Sequence, residues 1–170
     1  MTDEPLLQAD ESPGVAKIDP PLRTVIGRLL GEQPYAVLCT QGKGQPYGTL
    51  VALVATDDLT SMVFATPKAT RKYRLLCECD HVALVVDSRS TQSDDMMQIE
   101  ALTATGCAKE VTDSEVLERC SRLLLGRHVQ LESFLASPST ALFRVEVVRY
   151  FHVTRFQEVR EWKPIRGSSH

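Results

Sequence analysis

Three short apolar stretches follow one another between residues 35 and 66 with only turn-length links. They cover residues 35–40, 47–56 and 61–66. The link at 41–46 holds Gly42, Gly44 and Pro46, and the link at 57–60 begins with Asp57 and Asp58. Links this short join antiparallel neighbours, whereas parallel neighbours need a crossover of about a dozen residues or more. One crossover has room to form, through the helical spacing at 69–79, where Tyr73, Leu76 and Cys77 are expected inward. A fourth strand at 81–87 and a fifth at 99–111 follow. Asp113 or Ser114 then caps a helix to about residue 125, with a short helix over 130–136. A long strand at 141–156 and a short one at 158–162 close the order. This order disfavours a doubly wound parallel sheet. It predicts a mainly β chain, an antiparallel barrel with short helices at its ends.

Ahead of the strands, Leu22, Val25, Ile26, Leu29 and Leu30 lie on one face of a helix begun at Pro21, with Gly31 as its expected stop. Residues 1–20 carry Asp3, Glu4, Asp10, Glu11 and Asp19 against Lys17 alone. They hold more than the whole net charge of -3, so residues 21–170 are close to neutral. We expect an acidic flexible arm at 1–20, one domain at 21–165 and a tail at 166–170. A near-neutral domain is a poor nucleic-acid binder. No apolar run approaches the ~18 residues of a membrane span, and the acidic start is not a signal peptide. The five cysteines (Cys39, Cys77, Cys79, Cys107, Cys120) form no disulfide framework, which suits the cytoplasm. Cys77, Cys79 and His81 do not follow a standard zinc spacing, so no metal site is expected.

The stretch richest in chemistry runs from Phe64 to Lys72. A strand ends near Ala65 and Thr66, turns at Pro67 and enters a helix whose first turn holds Thr70, Arg71 and Lys72. Helix N-termini offer unpaired N–H groups and a positive dipole end. A hydroxyl, a guanidinium and an ammonium added there make a cradle for phosphate. The plainer alternative is an Arg-Lys pair solvated on an amphipathic helix.

Several segments in this order resemble the pyridoxamine 5'-phosphate oxidase-like FMN-binding split barrels. They are Gly44 to Tyr47, Thr49 to Leu53, Met62 to Thr66, Thr70 to Lys72 and His81 to Val85. The resemblance spans roughly residues 35–111 and continues more loosely to Trp162. It implies a homodimer with FMN at the subunit interface. Arg71 and Lys72 would hold the phosphate, Thr66 and Thr70 would assist beside Ala65, and Thr49, Leu50, Val51 and Ala52 would run along the flavin ring. By position, Arg89 at a strand end either reaches the cofactor from one of the subunits or is a surface charge, and Arg155 and Trp162 either close over the flavin or belong to an edge strand with the Trp packed at the dimer seam. The activity implied is FMN-dependent oxidation or reduction of a small molecule, with no catalytic side chain identified. The alternative is a non-enzymatic haem- or flavin-binding protein or a redox sensor.

The chain departs from the oxidase itself. Thr49 and Val54 stand where the oxidase has Arg and Lys, and Ala101 falls where its Gln is expected, with Gln98 out of register. The ending His152-Val-Thr-Arg155 lacks the substrate signature of the oxidase, so that activity is not expected. His152 either faces the ligand groove or is a satisfied or solvated histidine, and His128 is expected to be exposed.

Overall fold

The structure, a computed structural model, describes residues 21–89, 96–155 and 158–165. The expected arm and tail lie outside the described residues. The order is α1 (Leu22–Glu32), β1 (Tyr35–Gly42), β2 (Gln45–Ala55), β3 (Ser61–Pro67), α2 (Arg71–Glu78), β4 (His81–Asp87), β5 (Ala101–Glu110), α3 (Ser114–Arg127), α4 (Glu132–Leu135), β6 (Thr140–Thr154) and β7 (Glu158–Trp162). Short 3-10 turns at Met96–Gln98 and Val129–Leu131 precede β5 and α4.

The sheet runs β3-β2-β1-β4-β5-β6-β7, and β3 also pairs with β6. Six strands therefore close a ring, with β7 laid against β6. Every pairing is antiparallel. Burial alternates along β1 and β4, as a strand with one core face requires. Leu38, Leu53, Phe64, Leu84, Leu102, Val145 and Tyr150 fill the interior, and α1 adds Val25, Ile26, Leu29 and Leu30 to the same core. Phe64 and Phe143 stack at 5.4 Å inside it. On the outer face, Cys120 and Leu124 of α3 cover Val54, Val63 and Leu142. Asp113 caps α3 by accepting from the Glu115 and Val116 amides at 3.1 and 3.0 Å.

Several local expectations change. The first hairpin turn is Lys43 and Gly44 alone, with φ of 52° and 79°, and the strands run through the rest of 41–46. Two left-handed residues match the right-handed twist of the flanking strands. Gly31 does not stop α1, which ends at Glu32. Gln33 precedes Pro34, and a residue before proline is pushed to extended backbone. In α2 the buried positions are Leu75 and Leu76, while Cys77 is exposed. His128 is buried, with Nε2 3.0 Å from the Leu53 carbonyl oxygen. No helix among the described residues is long and apolar enough to cross a membrane.

Candidate functional site

β2 is only half used as a strand partner by β3. It pairs with β1 from Gln45 to Ala52, but with β3 only from Leu53 to Ala55. Among the described residues, the β3 side of residues 45–52 therefore has no strand beside it, and main-chain groups there are available to another partner. Side chains alternate along this segment: Val51 is buried, whereas Leu50 is 65% exposed. The Thr49 hydroxyl is enclosed and has no hydrogen-bond partner among the described residues.

The start of α2 closes on the same edge. Thr70 caps the helix, accepting from the Tyr73 amide at 3.3 Å and donating to the Pro67 carbonyl at 2.8 Å. Its oxygen also lies 3.0 Å from Thr66 Oγ1, which ties the end of β3 to the helix start. Lys72 reaches across and donates to the Leu50 carbonyl at 3.2 Å. Burial pushes the Lys72 ammonium below its ordinary value. Arg71 is exposed, with its guanidinium 4.9 Å from the centre of the Tyr47 ring. The first turn holds no acidic residue, and among the described residues neither cation has a carboxylate partner. Cations at a helix N-terminus oppose the dipole by ~0.3–1 kcal/mol each. Stability alone does not favour this pair, and an anion seated between them reverses the sign. Thr66, Thr70, Arg71, Lys72 and the Leu50 main chain are thus brought together, with Ala65 one residue back on β3.

Three further candidates lie elsewhere. Arg89, just beyond β4, is tied to Asp87, whose Oδ1 accepts from its Nε at 2.7 Å. Arg155 follows β6 with a φ of 48°, and its guanidinium lies 3.9 Å from Glu158. Trp162 on β7 is half-buried with its ring 5.7 Å from that of Tyr150. Thr66 pairs with Ala141 at the start of β6, and Arg155 lies past its far end. Along β6, Arg155 therefore stands at the opposite end from the residue that pairs with Thr66.

Sequence reasoning missed the open edge of β2, because a half-paired strand has the composition of a fully paired one. Tyr73 packs against the core as expected, its ring 6.0 Å from that of Phe143. Tyr47 lies under Arg71, and the Tyr73 hydroxyl donates to Glu110 at 2.9 Å, with Lys68 3.4 Å from the other Glu110 oxygen. The phenol is pushed up to about 12, mainly by the Glu110 carboxylate it serves. His152 does not face a groove. It is fully enclosed, with Nδ1 3.3 Å from Arg160 Nη2 and Nε2 3.3 Å from Glu100 Oε1.

The family model for pyridoxamine 5'-phosphate oxidase matches residues 22–154. The chain belongs to the pyridoxamine 5'-phosphate oxidase family. No curated protein matches it. Solved structures of the same fold include a haem-binding protein from Mycobacterium smegmatis, at TM-score 0.76 and 13% identity, which covers 87% of this chain and 60% of that one. A putative pyridoxamine 5'-phosphate oxidase from Listeria innocua has TM-score 0.59 and 17% identity over 76% and 96%. An FAD-binding protein from Mesorhizobium loti has TM-score 0.57 and 16% identity over 74% and 88%. Proteins of this fold are thus described as binding flavin in one case and haem in another.

Proposed function

We propose that the chain binds FMN at the open edge of β2 and acts as a flavin-dependent oxidoreductase on a small molecule. The observation that carries this reading is the pair Arg71 and Lys72, two cations at the first turn of α2 without acidic partners among the described residues. Arg71 would grip two phosphate oxygens, and Lys72 would add a point charge already desolvated toward the β2 edge. Thr66 and Thr70 would hold the loop in shape, and the main chain of residues 49–52 would meet the polar rim of the ring. The flavin supplies the two-electron chemistry when bound, while the protein orients it and limits access.

We also propose that the working unit is a homodimer. The outward face of β1 and β2 exposes Tyr35, Val37 and Leu50, and Val159 on β7 is exposed as well. Exposed apolar groups of this kind suit a protein partner. A dimer would also let Arg89, Arg155 or Trp162 of one chain approach the α2 cradle of the other. The odd cysteine count supports a cytoplasmic location.

Titration of the purified chain with FMN, followed by flavin fluorescence, tests the reading. Arg71→Ala with Lys72→Ala should weaken binding by at least ~2 kcal/mol, about 30-fold, since charge-assisted bonds are worth ~1.5–3 kcal/mol each. Unchanged affinity overturns the phosphate assignment. The second reading, haem binding, is favoured by the likeness to the mycobacterial haem-binding protein. A Soret band after haem addition, with no uptake of FMN, would replace the flavin reading by this one.

A further inference from the structure

Away from the β2 edge, the pairing of β4 with β5 sets His81 directly opposite Cys107. Opposed residues of an antiparallel pair carry their Cβ atoms about 4.5–5.5 Å apart. Asp80 stands one residue ahead of His81, and its carbonyl accepts from the Ala108 amide at 2.8 Å, which carries the ladder one step past the strand end. One ligand atom from each of Asp80, His81 and Cys107 lies within 4.8 Å of the others. Cys107 is buried, His81 is half-buried and Asp80 is exposed, so the group is anchored at the thiol and open to solvent at the carboxylate.

We propose that Asp80, His81 and Cys107 form a binding site for a divalent transition metal of borderline softness, with zinc the best match. A thiolate, an imidazole and a carboxylate are the three donor types zinc accepts, at about 2.3, 2.0–2.1 and 2.0–2.2 Å. Tetrahedral bonds of that length put donor atoms roughly 3.3–3.8 Å apart. The observed cluster contracts to that size by side-chain rotation at Asp80 and His81, with the backbone held by the ladder. The charges also balance: two anionic ligands neutralise the dication, so no net charge is left at a site whose inner wall is buried. Three protein ligands leave the fourth position to water or to a small ligand. The absence of a sequence signal has a physical cause. Standard zinc spacings bring ligands from one local loop, whereas here strand register brings Cys107 to His81. The site shares no residue with the proposed flavin cradle and does not depend on it.

Cobalt(II) is the probe, because a thiolate ligand gives it a near-ultraviolet charge-transfer band. The full chain, reduced and freed of metal by a chelator, should develop this band to one equivalent per chain, and zinc should displace it. Cys77→Ser combined with Cys79→Ser should keep the band, which separates the site from the neighbouring thiols. Cys107→Ser should abolish it. His81→Asn and Asp80→Asn leave the buried thiol in place, and each should weaken zinc binding at least tenfold in competition with a chromophoric chelator. The proposal is overturned if no stoichiometric band appears, if the band survives Cys107→Ser, or if His81→Asn and Asp80→Asn both bind zinc as tightly as the parent chain.

Discussion

Lys72 donates its ammonium to the main-chain oxygen of Leu50 across 3.2 Å. A helix side chain thereby occupies a carbonyl on the strand edge that β3 leaves open. Burial holds the Lys72 ammonium below the usual lysine range, so its charge is lost earlier as pH rises. Affinity for an anion seated at this helix should therefore fall with rising alkalinity before an ordinary lysine would titrate. Lys72→Arg keeps its charge throughout and should flatten that fall. Phosphate or FMN titrations across alkaline pH decide it, and identical profiles for the two chains would sink the role assigned to Lys72.

His152 makes acid the weak side of the fold. Burial dominates and lowers its pKa from the ordinary 6.5, with Arg160 and Arg28 acting in the same direction and Glu100 opposing them. The unfolded chain then binds the proton more readily than the folded one. The stabilising contribution is present above the unfolded value and is lost as pH falls through 6.5 toward the folded value. His152→Gln should show a smaller loss of urea midpoint between neutral and mildly acidic solution than the parent chain. An equal loss in both would show that the linkage lies in other groups.

Arg127 ties the end of α3 to the end of α1. Its guanidinium donates to the Leu30 and Gly31 carbonyls at 2.6 and 2.8 Å. These oxygens belong to the last turn of α1, where no intrahelical donor remains and a cation meets the negative end of the dipole. Arg127→Met keeps the stem and removes both bonds, and should cost about 1–3 kcal/mol in chemical denaturation. A change under about 0.3 kcal/mol would mean that water replaces the guanidinium without loss.

Two glycines should respond to alanine with opposite signs. Gly27 lies within α1 with nothing near the added methyl, so Gly27→Ala should stabilise by about 0.5–1 kcal/mol through helix propensity. Gly106 sits at the bulge where β5 shifts register against β6, and a Cβ there would run into the Glu146 carbonyl oxygen. Backbone cannot step aside as a side chain can, so Gly106→Ala should destabilise by at least ~1–3 kcal/mol. Thermal melts of both variants check the pair, and matching shifts would refute the account of the bulge.

What could be read without coordinates was whatever local pattern decides. The limits of β4 at 81–87 follow from a short apolar run, and the short strand at 158–162 lies where the sequence places it after the long one. The helix α2 follows from the helical spacing over 69–79, with Thr70 capping it rather than lying in its first turn. Gln41, Gly42, Gln45 and Pro46 have turn composition but lie in strands, because pairing along the hairpin outweighs their weak propensity. His128 looked solvated between two polar helix ends, yet the fold seats it on the Leu53 carbonyl. Leu50, Arg71 and Lys72 were legible as residue types. That Lys72 bonds the Leu50 carbonyl, and that Arg155 stands at the far end of β6 from the partner of Thr66, depends on register, which no local window contains.

The half-paired edge of β2 also bears on how the chain behaves in solution. A row of unoccupied main-chain groups is a template that a strand from any other molecule can extend, the usual seed of ordered aggregation. Pro46 lacks an N–H within that row, and the charged head of Lys72 sits on its Leu50 carbonyl. Both are devices that blunt such a template. A ligand resting along the edge completes the protection, so the ligand-free chain should be the more aggregation-prone form.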